Sequence, residues 1–182
     1  DETLAAFPGR IERYQELGLP IRAGIMTAFG CNFQGDIPLE QVLRLVQDLM
    51  GLSEDWGFSL DELSLADTMG WANPLQIRRT VDALRGRWPA LRLSLHLHDT
   101  RGTGLANAFA ALAVGIDTLD SSIGGMGGCP FAGHQGAAGN ICTEDLAFLA
   151  QEMGIETGLD MEKLIECGRL AEEVVGHPLP GK

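Results

Sequence analysis

The sequence predicts an α/β fold built on a parallel sheet. Stretches with strand and helix periodicity alternate along the chain, the connections between them are short, and each strand-like stretch ends in a polar loop bearing glycine. Strand then helix, repeated with short links, implies parallel strands and right-handed crossovers. The 182 residues suit one domain with a sizeable core, and 45% hydrophobic with 21% charged residues is an ordinary globular balance.

The elements follow in order. Residues 3–17 read as a helix that Gly18 and Pro20 end. Residues 21–29 are strand-like, and a polar loop follows from Gly30 to Asp36. A helix with Pro38 near its first turn runs to about Met50, with Val42, Leu45, Val46 and Leu49 on one face. A second cycle has a strand from Glu62 to Ala66 and the turn Asp67-Thr68-Met69-Gly70. Asn73 suits the N-cap and Pro74 the first turn of a helix that ends near Arg87, before Pro89. The third cycle is the strand 93–99 with a helix from about Gly104 to Val114. The fourth is a short strand, 116–121, and a loop from Gly124 to Gly139 that holds seven glycines. Thr143 then suits the cap of a helix to about Met153, and Asp160 the cap of a last one to about Val175.

Charge and cysteine usage exclude some partners. The net charge is −12 and the pI about 4.6. With no basic stripe, this argues against nucleic-acid or anionic-membrane partners. No apolar run approaches the ~20 residues of a membrane span. No signal peptide is visible, and the chain opens on Asp1 without a methionine, so upstream sequence can be missing. Cys31, Cys129, Cys142 and Cys167 are scattered, which favours free thiols in a reducing compartment.

The chemistry centres on residues 93–99, Leu-Ser-Leu-His-Leu-His-Asp. Side chains two apart on a strand share a face. His96 and His98 therefore project together with Ser94, while Leu93, Leu95 and Leu97 pack the other way. Two imidazoles at a strand end can supply two corners of a divalent-metal site, or stand as partly exposed histidines. In parallel α/β folds the carboxyl ends of strands carry the chemistry. That rim holds His98, Asp67 and both glycine-bearing loops.

The motifs Leu-His-Leu-His-Asp-Thr-Arg-Gly, Gly-Gly-Cys-Pro-Phe at 127–131 and Gly-Asn-x-x-Thr-Glu-Asp at 139–145 resemble the 3-hydroxy-3-methylglutaryl-CoA lyase family, of the DRE-TIM metallolyase superfamily. Phe29-Gly30-Cys31 and Ser64-Leu65-Ala66-Asp67-Thr68-Met69-Gly70 match the same family in order and spacing. The resemblance implies a (β/α)8 TIM barrel, of which this chain matches the C-terminal half, about four βα units. It implies a Mg²⁺- or Mn²⁺-dependent lyase that cleaves a 3-hydroxyacyl-CoA into acetyl-CoA and a keto acid. His96, His98 and Asn140 match its metal ligands, Cys129 its loop cysteine, and Asp67 and Glu144 acidic residues at its active site. The family's first-strand Asp-Arg-Glu-like motif, a metal carboxylate and a catalytic arginine, is not found here. Three neutral ligands alone hold Mg²⁺ poorly.

The chemistry assigns further roles. Breaking a carbon–carbon bond beside a tertiary alcohol requires removal of the hydroxyl proton, stabilisation of the enolate and its reprotonation. A metal serves as Lewis acid. Asp67 or Asp99 could accept the hydroxyl proton, with Asp67 favoured; either could instead be a turn residue, and Asp99 could orient a histidine. A thiol at Cys129 is a plausible proton donor. Asn140 could equally be a turn residue, and Glu144 could simply complement a helix N-terminus. Arg101 could meet a carboxylate or CoA phosphate, or lie free on the surface. His134 reads as an exposed loop residue, and Cys31, Cys142 and Cys167 as packing residues.

Three functions compete: a lyase of this type, a related lyase or aldolase with another substrate, and a catalytically incomplete half-barrel. A half-barrel leaves two open sheet edges, so a homodimer is expected. The compartment expected is the bacterial cytoplasm or the mitochondrial matrix.

Overall fold

The protein is described by a computed structural model covering residues 2–128 and 139–181. Its elements are α1 (Glu2–Glu16), β1 (Arg22–Ile25), β2 (Gly30–Cys31), β3 (Gly35–Asp36), α2 (Leu39–Asp55), β4 (Glu62–Asp67), α3 (Pro74–Arg87), β5 (Arg92–Leu97), α4 (Gly104–Ala113), β6 (Thr118–Asp120), a short 3₁₀ turn (Ile123–Gly125), α5 (Thr143–Glu152) and α6 (Met161–Val175). Strands β1, β4, β5 and β6 form one parallel sheet in that order. This is a partial (β/α) barrel; the alternation predicts its parallel sheet, and the resemblance its barrel form.

Strand register sorts the side chains into two faces. Leu63 and Leu65 of β4 pair with Leu93 and Leu95 of β5. With Leu97 they pack against Val42 and Val46 of α2, Ile77, Val81 and Leu84 of α3, and Ala108 and Ala111 of α4 in one buried cluster. The alternate positions, Ser64 and Ala66 on β4 with Ser94 and His96 on β5, face the concave side.

Local chemistry fixes the helix starts. The Asn73 side chain accepts from the N–H groups of Leu75 and Gln76, and the Gln76 side chain accepts from the Asn73 N–H. Asp160 caps α6 by accepting from Glu162 and Lys163. Thr143 does not cap α5. Cys142 holds the N-cap position without a side-chain hydrogen bond, and the Thr143 hydroxyl meets Ser121 at 2.8 Å.

Two other boundaries differ from expectation. The first strand ends at Ile25 because Thr27 turns to a φ of 52° and gives its N–H to Thr68 Oγ1. The polar loop from Gly30 to Asp36 contains the two-stranded pairing of β2 with β3.

Candidate metal centre and active site

The site forms where three segments converge at the carboxyl end of the sheet. Residues 139–143 thread between the ends of β5 and β6. Ile141 N–H donates to the Leu97 carbonyl at 3.1 Å, and Asp99 N–H to that of Gly139 at 3.0 Å. On the other side, Ser122 N–H donates to Ile141 and Thr143 N–H to Ser122, at 3.1 and 2.9 Å. This bridging pairs Asn140 with His98.

His96 and His98 do project together. Their Nε2 atoms lie 3.1 Å apart. His96 Nδ1 lies 3.3 Å from Asp120 Oδ2. A carboxylate only accepts, so Nδ1 carries the proton and Nε2 the lone pair in a neutral ring. His98 is buried, and burial together with the adjacent His96 lowers its pKa, opposed by the Asn140 side chain and Thr68 backbone. The neutral form, the one able to ligate, is thereby favoured. Asn140 Nδ2 donates to the Met126 carbonyl at 3.1 Å, while its buried Oδ1 has no hydrogen-bond partner. Buried polar atoms are normally satisfied, so an unpaired oxygen on the residue bridged to His98 marks a place for a ligand.

These three residues fit a divalent cation. Two donors at right angles, ~2.1 Å from an octahedral ion, lie about 3.0 Å apart, close to the observed Nε2 separation. All three donors are neutral, and no group of three or more His, Cys, Asp or Glu side chains is placed to hold a metal ion among the described residues.

The carboxylates expected at the site are turned elsewhere. Asp67 ends β4 on the rim, but its register partner is Leu97, on the helix-facing side. It is fully buried, and its two oxygens accept from Trp71 N–H at 2.6 Å and Ala72 N–H at 3.1 Å. Burial raises its pKa to about 6, against the pull of those hydrogen bonds and of Arg101. Glu144 is also buried: both oxygens accept from Gly124 N–H at 3.0 Å, and Cys142 Sγ donates to Oε2 at 2.9 Å. Burial, then Glu144, pushes the Cys142 thiol up to about 12. Asp67 and Glu144 thus hold loops in place through these hydrogen bonds. Among the described residues Asp99 meets no histidine; its Oδ1 takes the N–H of Gly104 at 2.6 Å and starts α4.

Arg101 lies over the Trp71 ring, 3.9 Å from its centroid, and Trp71 Nε1 donates to Asp36 at 2.6 Å. Cys31 is half-buried and Cys142 buried, but Cys167 is exposed and does not pack. Cys129 and His134 lie outside the described residues.

Residues 12–171 match the HMGL-like family. The chain belongs to that family. The HMGL-like relatives include the hydroxymethylglutaryl-CoA lyase of Bacillus subtilis, 45% identical over 168 residues, spanning 92% of this chain and 54% of that protein. The (R)-citramalyl-CoA lyase of Chloroflexus aurantiacus is 40% identical over 163 residues, spanning 90% of this chain and 49% of its own length. Among solved HMGL-like structures, the B. subtilis HMG-CoA lyase superposes with a TM-score of 0.87 at 42% identity, covering 100% of this chain and 58% of that one. An Acinetobacter baumannii HMG-CoA lyase in complex with coenzyme A and 3-methylmalate gives 0.85 at 39%, covering 100% and 56%. The chain spans about half the length of the curated relatives it matches.

Sequence reasoning missed Asp120 and Arg22. Asp120 stands inside a quoted motif, yet its role needs the β5–β6 register, which sets it opposite His96. Arg22 donates to Asp120 across 98 positions of sequence, and no local signal announces that.

Proposed function

We propose that this chain carries the metal-binding half of a divalent-metal-dependent carbon–carbon lyase acting on a 3-hydroxyacyl-CoA of the 3-hydroxy-3-methylglutaryl-CoA type. The observation that carries this is the pair of Nε2 atoms 3.1 Å apart together with the unpartnered Asn140 Oδ1. Membership of a family that includes acyl-CoA lyases supplies the reaction class.

His96, His98 and Asn140 would hold Mg²⁺ or Mn²⁺. When bound, such an ion supplies Lewis-acid activation of the substrate hydroxyl. The chain's own contributions are positional. Asp120 fixes the His96 ring, and burial keeps His98 neutral. The Met126 carbonyl orients the Asn140 amide so that its oxygen is the free atom. Cys129 is the proposed donor of the proton that converts the departing enolate to acetyl-CoA. The resemblance also implies a carboxylate ligand and an arginine, for which no residue of this sequence is matched. Asp67 and Glu144 enter as carboxylates that shape the loops. The partner proposed is an acyl-CoA substrate, with a homodimer as the assembly, in the bacterial cytoplasm or mitochondrial matrix.

Titration of Mn²⁺ into the protein tests the centre, with His98→Ala and Asn140→Ala as comparisons. Saturable binding lost in His98→Ala supports it, and equal binding by all three proteins refutes it. Acetyl-CoA release from 3-hydroxy-3-methylglutaryl-CoA tests the reaction. The 40%-identical citramalyl-CoA lyase favours a second substrate, citramalyl-CoA. The ratio of kcat/KM values for the two thioesters decides between them.

A further inference from the structure

The concave face of the sheet is crossed from one edge to the other by a single side chain. Arg22 stands on β1, and its guanidinium passes over β4 and β5 to β6. Nη2 lies 3.0 Å from Ser64 Oγ, 3.0 Å from Ser94 Oγ and 2.8 Å from Asp120 Oδ2. Nε lies 2.8 Å from Glu62 Oε1. The Asp120 oxygen that receives Arg22 is also the one that faces His96 Nδ1.

This shared oxygen matters because Asp120 has little else to hold it. It is the last residue of a three-residue strand at the open edge of the sheet. A cavity of about 290 Å³, lined by Arg22, Ser64, Ala66, His96 and Asp120, opens beside it. Without the guanidinium the carboxylate is free to rotate into that space. His96 would then lose the acceptor that keeps its proton on Nδ1. An imidazole carrying its proton on Nε2 has no lone pair to offer on the side facing His98.

We infer that Arg22 is a positioning residue for the metal centre: through Asp120 it holds His96 as the Nδ1–H tautomer, with Nε2 free to ligate. The two serines are part of the device. Their hydroxyls, projecting from the middle strands, give the guanidinium a polar path across a face of small residues. A planar fork reaches several acceptors at once in a way an ammonium cannot. Partners that orient a ligating histidine are worth 10–100-fold in metal affinity. This inference rests on the proposed metal centre, but the tautomer can be read without any metal.

The experiment is long-range ¹H–¹⁵N correlation of the imidazole rings in the metal-free protein, joined to Mn²⁺ titration. Wild type should show His96 as a single Nδ1–H tautomer. Arg22→Gln should show a mixture with the Nε2–H form and bind Mn²⁺ 10–100-fold more weakly. Asp120→Ala should do the same, and it decides the matter if Arg22→Gln does not fold. Arg22→Lys should recover only part of the affinity. Glu62→Gln removes the guanidinium's other ion pair and should leave the tautomer unchanged. A pure Nδ1–H signal in Arg22→Gln or, failing that variant, in Asp120→Ala overturns the inference. So does a mixture in wild type, or an equal disturbance in Glu62→Gln, which would mark a general loosening. Failure of wild type to bind Mn²⁺ refutes the metal centre instead, and the ring spectra still decide the role of Arg22.

Discussion

Replacing Asp67 by asparagine should remove the pH dependence that this carboxyl gives to stability. In the unfolded chain this carboxyl titrates near its ordinary 3.8, and in the fold near 6. Between those values the folded state holds a proton that the unfolded state has released. Wild-type stability therefore falls as pH rises from about 4 to about 6 and is level on either side. The gap is worth about 3 kcal/mol at about 1.36 kcal/mol per pH unit. The amide removes that ionisation. Its single oxygen serves one of the two buried N–H groups, Trp71 or Ala72, as the protonated carboxyl of wild type does. At pH 7 Asp67→Asn should be the more stable by about 3 kcal/mol. At pH 4, where the folded wild type is itself protonated, the two proteins should be about equally stable. Urea unfolding of both proteins at pH 4, 5, 6 and 7 measures this. Stability profiles that run parallel across the range would show that burial does not govern this carboxyl.

Three further outcomes are expected. Leu95→Ala empties a fully buried position at the centre of the sheet and should cost about 2–5 kcal/mol in urea unfolding. Asn73→Ala removes both side-chain cap contacts of α3 and should cost about 1 kcal/mol, read as a lowered midpoint with an unchanged slope. Cys129→Ala should cripple acetyl-CoA release while leaving Mn²⁺ affinity nearly intact; an unchanged rate would remove the thiol from proton transfer.

The alternating architecture was legible because each cycle carries its own punctuation, such as Asn73-Pro74 opening a helix and Pro89 closing it. The histidine pair was legible because period-two alternation alone sets His96 and His98 on one face. The same rule, applied to Leu63, Leu65 and Asp67, places the aspartate with the leucines, away from the histidines. Position at a strand end sets the rim, and parity sets the direction. Glu144 gave an honest signal as a first-turn carboxylate, and its actual partner, Gly124 N–H, lies 20 residues away. The tie from Arg22 to Asp120 was out of reach, since it depends on how the sheet curves and on two serines that read as ordinary strand polar residues.

Arg22 also bears on how the sheet comes apart. β1 and β6 form the two edges and share no backbone hydrogen bonds, so in most open sheets they would fray independently. Here one guanidinium touches both, and pulling either edge away breaks its hold on the other. Amide hydrogen exchange should then report β1 and β6 opening as one unit in wild type, and as two units of different free energy once Arg22 is replaced. A side chain chosen to aim a ligand thereby makes the outer strands share one stability.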